Sequence, residues 1–268
     1  MTKGVIRYFN LWKHISTPFE YILNRGKRHK RSLIFTTKPY PIRFQVPASL
    51  YLVFKELFMA DVYKIDKLAK SLPSNPVIVD VGANAGFFII QLLSKIEKGM
   101  VYAYEPIQAN VDTFRSAVRE NYKLQQCVQL FPLAVTGEAT SCLELFAEED
   151  VKTQVVASRF ADFDQNNTHK LIVPCISLGE IIEQNNLDRI DLLKLDCEGS
   201  EYDIIYNTSP GLLQRVHRMW IEVHNVDQEN NNIESIEPYL QSLGYTTKKD
   251  QINYFCYALE AVRGNTKN

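Results

Sequence analysis

The stretch from Asn75 to Pro106, NPVIVDVGANAGFFIIQLLSKIEKGMVYAYEP, decides how the rest of the chain is read. Val77 to Val81 is a β-branched run interrupted only by Asp80, the composition of a strand buried on both faces. Gly82 follows at once. From Ala85 to Lys98 the apolar residues Phe88, Ile89, Leu92, Leu93 and Ile96 keep the i, i+3, i+4 spacing of a single helix face. Gly99 closes that helix, and a second apolar run, Met100 to Tyr104, ends in Glu105-Pro106. Strand, glycine turn, helix and strand in this order make a βαβ unit with parallel strands.

A turn of this kind bends sharply and lets a ligand approach the backbone, which is the reason for Gly82 and Gly86. N–H groups at the helix start are expected to face that ligand. Glu105, at the end of the second strand, is placed to accept hydrogen bonds from two ribose hydroxyls. The glycine spacing selects the nucleotide. A dinucleotide site requires G-x-G-x-x-G so that pyrophosphate can touch the backbone, whereas here Asp80 stands where the first glycine would be, ahead of Gly82, Asn84 and Gly86. A carboxylate there repels pyrophosphate and attracts an ammonium group. S-adenosylmethionine, with an amino-acid end and a sulfonium in place of phosphates, fits this turn, and Asp80, Gly82, Asn84, Gly86 and Glu105 are its expected contacts.

Two further motifs follow in order, DLLKLDCEGSE at Asp191–Glu201 and IEVH at Ile221–His224. Together with DVGANAGFF and YEP they resemble the FkbM family of S-adenosylmethionine-dependent methyltransferases over roughly Val77 to Leu259. The resemblance implies an α/β, Rossmann-like class I methyltransferase fold and O-methylation of a hydroxyl on a sugar, glycan or natural product. The residues by themselves point only to the cofactor class.

Composition sets looser bounds. The chain has 268 residues and a formal net charge of −1, which argues against a dedicated nucleic-acid binder. Its five cysteines are odd in number and lack a CxxC pair, so reduced thiols, a cytoplasmic location and no metal centre are expected. Up to Phe44 ten basic residues face one acid, Glu20, and the run Arg25 to Arg31 is the densest part. No uninterrupted apolar stretch there is long enough for a signal core or a membrane span. This arm is read either as a solvated basic linker after a short helix or as a peripheral contact with an anionic membrane. With the helical stretch from Gln45 to Lys70, whose Tyr51, Phe54, Phe58 and Tyr63 are assigned chiefly to core packing, it makes up an expected extension of residues 1–72 ahead of a catalytic domain, 73–268.

Beyond Pro106, Ala109 to Tyr122 reads as a helix and Val128 to Val135 as a third strand, with Ala134 beside the adenine ring. Cys142 to Phe146 and Gln154 to Ser158 read as a hairpin, followed by a loop from Phe160 to Lys170. Ser177 and Glu180 have capping-box spacing. Ligands of open α/β sheets bind outside the carboxyl ends of the strands, so Asp196, Glu198 and Glu222 are expected in one crevice with Gly82 and Glu105. Asp196 is assigned to cofactor and catalysis, and Glu198 and Glu222 to the acceptor. His224, at a strand end among carboxylates, is the expected general base. Pro238 suggests a kink or late start in a helix from Ile233 to Leu243, and Lys248 to Gln251 the turn of a closing antiparallel hairpin. Two alternatives remain: a metal-assisted O-methyltransferase, with Asp196 and the Glu222–Asn225 segment around Mg²⁺, and a non-catalytic S-adenosylmethionine sensor or scaffold.

Overall fold

A computed structural model of the chain describes residues 4–24, 31–147, 157–158 and 169–264. The basic run up to Lys30, the expected strand start at Gln154 and the polar loop up to Thr168 lie outside the described residues. In chain order the elements are α1 (Val5–His14), α2 (Pro18–Leu23), β1 (Leu33–Thr36), β2 (Arg43–Val46), α3 (Tyr51–Phe54), α4 (Ile65–Ser71), β3 (Val77–Val81), α5 (Phe87–Leu93) and β4 (Met100–Tyr104). They continue with α6 (Gln108–Glu120), α7 (Tyr122–Cys127), β5 (Val128–Phe131), β6 (Ala134–Thr136), β7 (Cys142–Ala147), β8 (Ala157–Ser158), β9 (His169–Ser177) and α8 (Leu178–Gln184). The last are β10 (Leu192–Leu195), α9 (Glu201–Asn207), α10 (Pro210–Leu213), β11 (Arg218–His224), α11 (Ile233–Ser242), β12 (Tyr245–Asn253) and β13 (Cys256–Arg263).

The two apolar runs around the glycine turn form strands with the bounds read from sequence, and they pair in parallel with Val77 opposite Met100. Both belong to a seven-stranded sheet in the order β12, β13, β11, β10, β3, β4, β5. The five central strands run parallel, and β13 and β12 close the sheet by antiparallel pairing. This is the mainly parallel sheet with a closing hairpin that the resemblance implies. Strand order reverses between β3 and β10, so the crevice of the site opens where their carboxyl ends diverge. One apolar cluster, under α5, α6 and the N-terminal elements, covers one face, and another, under α8, α9 and α11, covers the other.

Several boundaries differ from those read in sequence, each for a local reason. Pro132 cannot donate to a ladder, so the run from Val128 to Val135 splits: β5 stays in the large sheet while β6 joins β9, β7 and β8 in a second one. The hairpin turn lies at Tyr254-Phe255 and not at Lys248–Gln251. Lys248 faces Glu260 across the strands and Lys249 reaches Glu237 at 2.8 Å, so the charged stretch is an edge strand. Asn232 caps α11 by accepting from Ser235 N, and Pro238 sits inside that helix without delaying its start. Ser177 and Glu180 form the expected capping box.

The N-terminal segment is not a detachable arm. Leu11, Ile15 and Tyr21 are buried in the same cluster as the rings of α3 and α5. Phe35 stacks on Phe54 at 4.5 Å, and Phe44 meets Phe87 at 5.6 Å, which ties β1, β2 and α3 to the first crossover helix. Main-chain bonds from Ser16 to Thr36 and from Lys38 to His14 stitch the segment further. Truncating any of these rings typically costs about 3–5 kcal/mol.

His14 lies fully buried in this cluster, and neither ring nitrogen has a hydrogen-bond partner. Burial, helped by the charge of Lys95, lowers its pKa to about 4, with Asp66 opposing. The folded state therefore keeps the imidazole neutral where the unfolded chain takes up a proton near pH 6.5. The stabilisation is fully present above that pH and is lost as pH falls toward 4, about 2 kcal/mol of it between pH 7 and pH 5. Urea unfolding at the two pH values, in wild type and His14→Gln, should show a smaller pH dependence in the variant by that amount. An identical pH dependence would mean that the folded state protonates this imidazole freely.

Candidate active site

The organising contact is a buried ion set between β3 and β10. Lys194 Nζ lies 3.3 Å from Asp80 Oδ1 and 3.3 Å from Asp196 Oδ2 and donates to the Gly82 carbonyl at 2.9 Å. Asp80 and Lys194 are 0 and 3 % exposed. Burial raises the Asp80 pKa and Lys194 opposes it, while burial lowers the Lys194 pKa and is outweighed by Asp196 and Asp80, so the ammonium is held firmly charged. Asp80, expected to contact the cofactor, is not among the residues lining the cleft; it lies buried opposite Lys194 on the neighbouring strand, and Lys194 lines the cleft.

The glycine turn also works differently from the expectation. Gly82 N and Ala83 N both donate to Tyr104 O at 3.0 Å, Asn84 N to Glu105 Oε2 at 2.8 Å, Ala85 N to Asn84 Oδ1 at 2.7 Å and Gly86 N to Ala83 O at 2.9 Å. All five donors of the turn are spent inside the protein, so it offers no phosphate nest. Gly82 is required by close approach: at φ +73° a Cβ would lie 1.9 Å from Asp196 O. A Cβ on Gly86 would enter the Phe114 ring at 2.2 Å, so close packing requires a glycine there, and Gly86 is not among the residues lining the cleft.

Gly82, Asn84, Glu105, Ala134, Asp196, Glu198 and Glu222 line one cleft of about 1190 Å³, open mouth included, at the carboxyl ends of the parallel strands. Five of its lining side chains are acids, Glu56, Glu105, Asp196, Glu198 and Glu222, against the single cation Lys194. Ile107, Leu133, Leu143 and Leu145 form an apolar wall next to Ala134 and Glu105. Glu105 accepts from Asn84 N, from Ile107 N at 2.9 Å and from Asn110 Nδ2 at 3.3 Å, holding the turn to the loop after β4. One lone pair of Oε2 is left for a hydroxyl in the cleft.

This donor set fits S-adenosylmethionine. An apolar slot suits adenine, Glu105 suits ribose, and a cleft of net negative charge suits a sulfonium and an ammonium and disfavours pyrophosphate.

The far end of the cleft is built by the turn after β10. Glu198 and Gly199 sit at φ +53° and +100°, a conformation that a glutamate adopts only under constraint. Buried Glu201 supplies the constraint by accepting from Cys197 N at 3.0 Å and Gly199 N at 2.8 Å. His224 lies behind this turn and is not among the residues lining the cleft. Its Nδ1 faces Glu201 Oε1 at 3.4 Å, and its Nε2 faces Glu198 Oε2 at 3.3 Å and Glu222 Oε1 at 3.8 Å. Burial disfavours charge on the ring, but hydrogen bonds with Cys256 and Glu201 and the charges of Glu201 and Glu198 outweigh it and raise the pKa far above neutrality. His224, the expected general base, thus sits among carboxylates that favour its protonated form. Asp196 does not orient it, because that carboxylate is held by Lys194 and by the Tyr63 hydroxyl at 3.3 Å.

Burial raises Glu222 to about 7, with Asp196 adding and His224 opposing. Burial raises Glu198 to about 8, His224 opposing and Asp196 and Glu222 adding. Glu222, His224 and Cys256 bring one polar atom each within 4.8 Å of the others, close enough to share a metal ion.

Lys194, Tyr63 and Glu56 line the cleft although the sequence reading gave Glu56 no role, assigned Tyr63 chiefly to core packing and saw Lys194 only as a pairing partner for the strand-end acids. Lys194 carries a visible signal, a lone cation inside an apolar strand between Asp191 and Asp196. Glu56 carries none, since it enters the cleft from the helical turn Lys55–Ala60, far away in sequence.

A family model described as the methyltransferase FkbM domain matches residues 80–247. The methyltransferase sdnD of Sordaria araneosa is 27% identical over 229 residues, covering 75% of this chain and 84% of that protein. The AMB antimetabolite synthetase AmbE of Pseudomonas aeruginosa is 24% identical over 205 residues, 65% of this chain, and the chain spans only 9% of its length. Among solved structures, a methyltransferase FkbM from Methylobacillus flagellatus superposes with a TM-score of 0.47 and 14% identity, covering 70% of this chain and 44% of that one.

Lys194→Met leaves Asp80 buried without its counter-charge, a loss that costs about 3–5 kcal/mol. Chemical denaturation should show a drop of this size, and a double variant with Asp80→Leu should recover much of it. A Lys194→Met protein as stable as wild type would remove the ion set from its central place.

Proposed function

The chain belongs to the FkbM family of methyltransferases, whose cofactor is S-adenosylmethionine, and from that premise we propose that it methylates a hydroxyl oxygen of a small-molecule or glycan acceptor. The observation that supports this reading is the pair Glu198 and Glu222 at the acceptor end of the cleft, raised toward neutrality and backed by the His224 imidazolium. A hydroxyl must lose its proton as the new bond forms, and a base titrating near neutral pH suits that task.

Bound S-adenosylmethionine supplies an electrophilic methyl group on its sulfonium. Glu105 and the apolar wall would hold the nucleoside end, and Asp196, fixed by Lys194 and Tyr63, would hold the amino-acid end. Glu222 accepts the proton of the acceptor hydroxyl, and Glu198 holds the acceptor beside it. His224 is a positioning residue: its charge keeps Glu222 ionised in a buried place. Catalysis beyond the proton step comes from alignment of the two reactants in a partly dry cleft.

Glu222→Gln should keep cofactor affinity and lose turnover by about 10²- to 10⁴-fold. Wild-type turnover should rise with pH through about 7, where Glu222 ionises, and then level off. His224→Gln removes the opposing cation, so this limb should move to higher pH. If Glu222→Gln turns over within a few-fold of wild type with an unchanged profile, Glu222 is not the base.

Glu105→Ala should weaken S-adenosylmethionine in calorimetry by about 1.5–3 kcal/mol, the scale of hydrogen bonds to a charged group. Unchanged affinity would place the ribose elsewhere. Turnover is expected to survive chelation; its loss, with recovery on adding Mg²⁺, would favour the metal-assisted alternative. Methyl transfer to any acceptor sets aside the sensor or scaffold alternative.

A further inference from the structure

Helices α1 and α2 each carry two apolar faces. One turns inward through Leu11, Pro18 and Tyr21, which are buried. The other turns to solvent. On α1 it holds Val5, Phe9 and Trp12, at i, i+4 and i+7, with Ile6 beside them; on α2 it holds Phe19, Ile22 and Leu23, at i, i+3 and i+4. These seven side chains are between 39 and 84 % exposed. The rings of Trp12 and Phe19 meet edge to face at 5.1 Å, so the two stripes form one patch. Exposed apolar side chains scattered singly are ordinary, but a contiguous group of this kind marks a surface that something covers.

Charge identifies what covers it. Up to Phe44 the sequence has ten basic residues against Glu20 alone, while the rest of the chain has 20 basic and 30 acidic residues. In sequence the basic run from Arg25 to Arg31 begins two residues after Leu23, whereas Lys13 on α1 is already paired with Asp66. No helix among the described residues is long and apolar enough to cross a membrane. Short helices with tryptophan and phenylalanine on the outer face, beside a surplus of positive charge, have the composition that lies in the interface of an anionic bilayer.

We propose that the α1–α2 patch seats the protein on an anionic lipid surface, with Val5, Phe9, Trp12, Phe19 and Leu23 at the boundary between headgroups and acyl chains. The turn Lys55–Ala60 supports α1, with Asn10 Nδ2 donating to Met59 O at 2.9 Å, and also lines the cleft with Glu56 and Leu57. Docking would therefore hold one wall of the cleft about a helix diameter, ~10 Å, behind the docked helix. The proposal stands independently of which acceptor the cleft takes.

The test is sedimentation of the full chain with phosphatidylcholine vesicles, with and without phosphatidylglycerol. Binding should require the anionic lipid, weaken with added salt, and fall at least about tenfold in Phe9→Ser/Trp12→Ser/Phe19→Ser. Leu23→Glu, at an 80 % exposed position, is a milder variant that should weaken binding without disturbing the core. Brominated lipid should quench fluorescence in wild type, and Trp12→Phe should remove most of that quenching. Absence of binding to anionic vesicles at low salt, or binding equal in wild type and both variants, would overturn the proposal. So would a stable dimer that both variants dissociate and that ignores lipid, which would assign the patch to a second copy of the chain.

Discussion

The cleft depends on one buried cation. Lys194 sits in the middle of a parallel sheet, where an unpaired charge would cost several kcal/mol, and is tolerated because Asp80 on the neighbouring strand and Asp196 at its own strand end both face it. The same ammonium holds the Gly82 carbonyl. Three strand-end features of the site, the glycine turn, the Asp196 carboxylate and the register of β3 on β10, are thus coupled through one side chain. Gly82 completes the arrangement: the turn passes so close to the Asp196 carbonyl that no side chain fits between them.

A second layer of charge lies behind the acceptor end. Glu201 is wholly buried, yet its oxygens take up main-chain N–H groups of the turn that carries Glu198. It also faces one nitrogen of His224, while Glu198 and Glu222 face the other. Carboxylates on both sides of an imidazole favour its cationic form. In the proposed mechanism His224 acts by its charge, and the proton goes to a carboxylate whose own ionisation burial makes difficult, which is what brings its pKa near neutrality.

The N-terminal elements join these layers. Their aromatic rings pack against α5, the helix that leaves the glycine turn, and the turn Lys55–Ala60 presents Glu56 and Leu57 to the cleft while supporting α1 on its outer side. A segment that looks like an appendage by charge is thus packed on the core, next to the turn that lines the cleft.

Much of the architecture was legible in residue order. Continuous β-branched runs at Val77–Val81 and Met100–Tyr104 can only be satisfied in the middle of a sheet, the glycine between them demands a sharp turn, and an acid at the end of each of several strands places them on one edge of a parallel sheet. Local chemistry likewise determined the capping box at Ser177, whose two partners stand three positions apart. The direction of side chains across strands was decided only by the tertiary structure. Asp80 and Asp196 look equally available in sequence, yet the register sets Asp80 opposite Lys194 inside the sheet, where both are buried, while Asp196 lies past the end of β10 and reaches the cleft. The protonation of His224 depends on Glu198, Glu201 and Glu222, carboxylates that only the packing of the α9 turn against β11 brings to both of its nitrogens. A charge state is set by everything within a few ångströms, and residue order records only the neighbours along the chain.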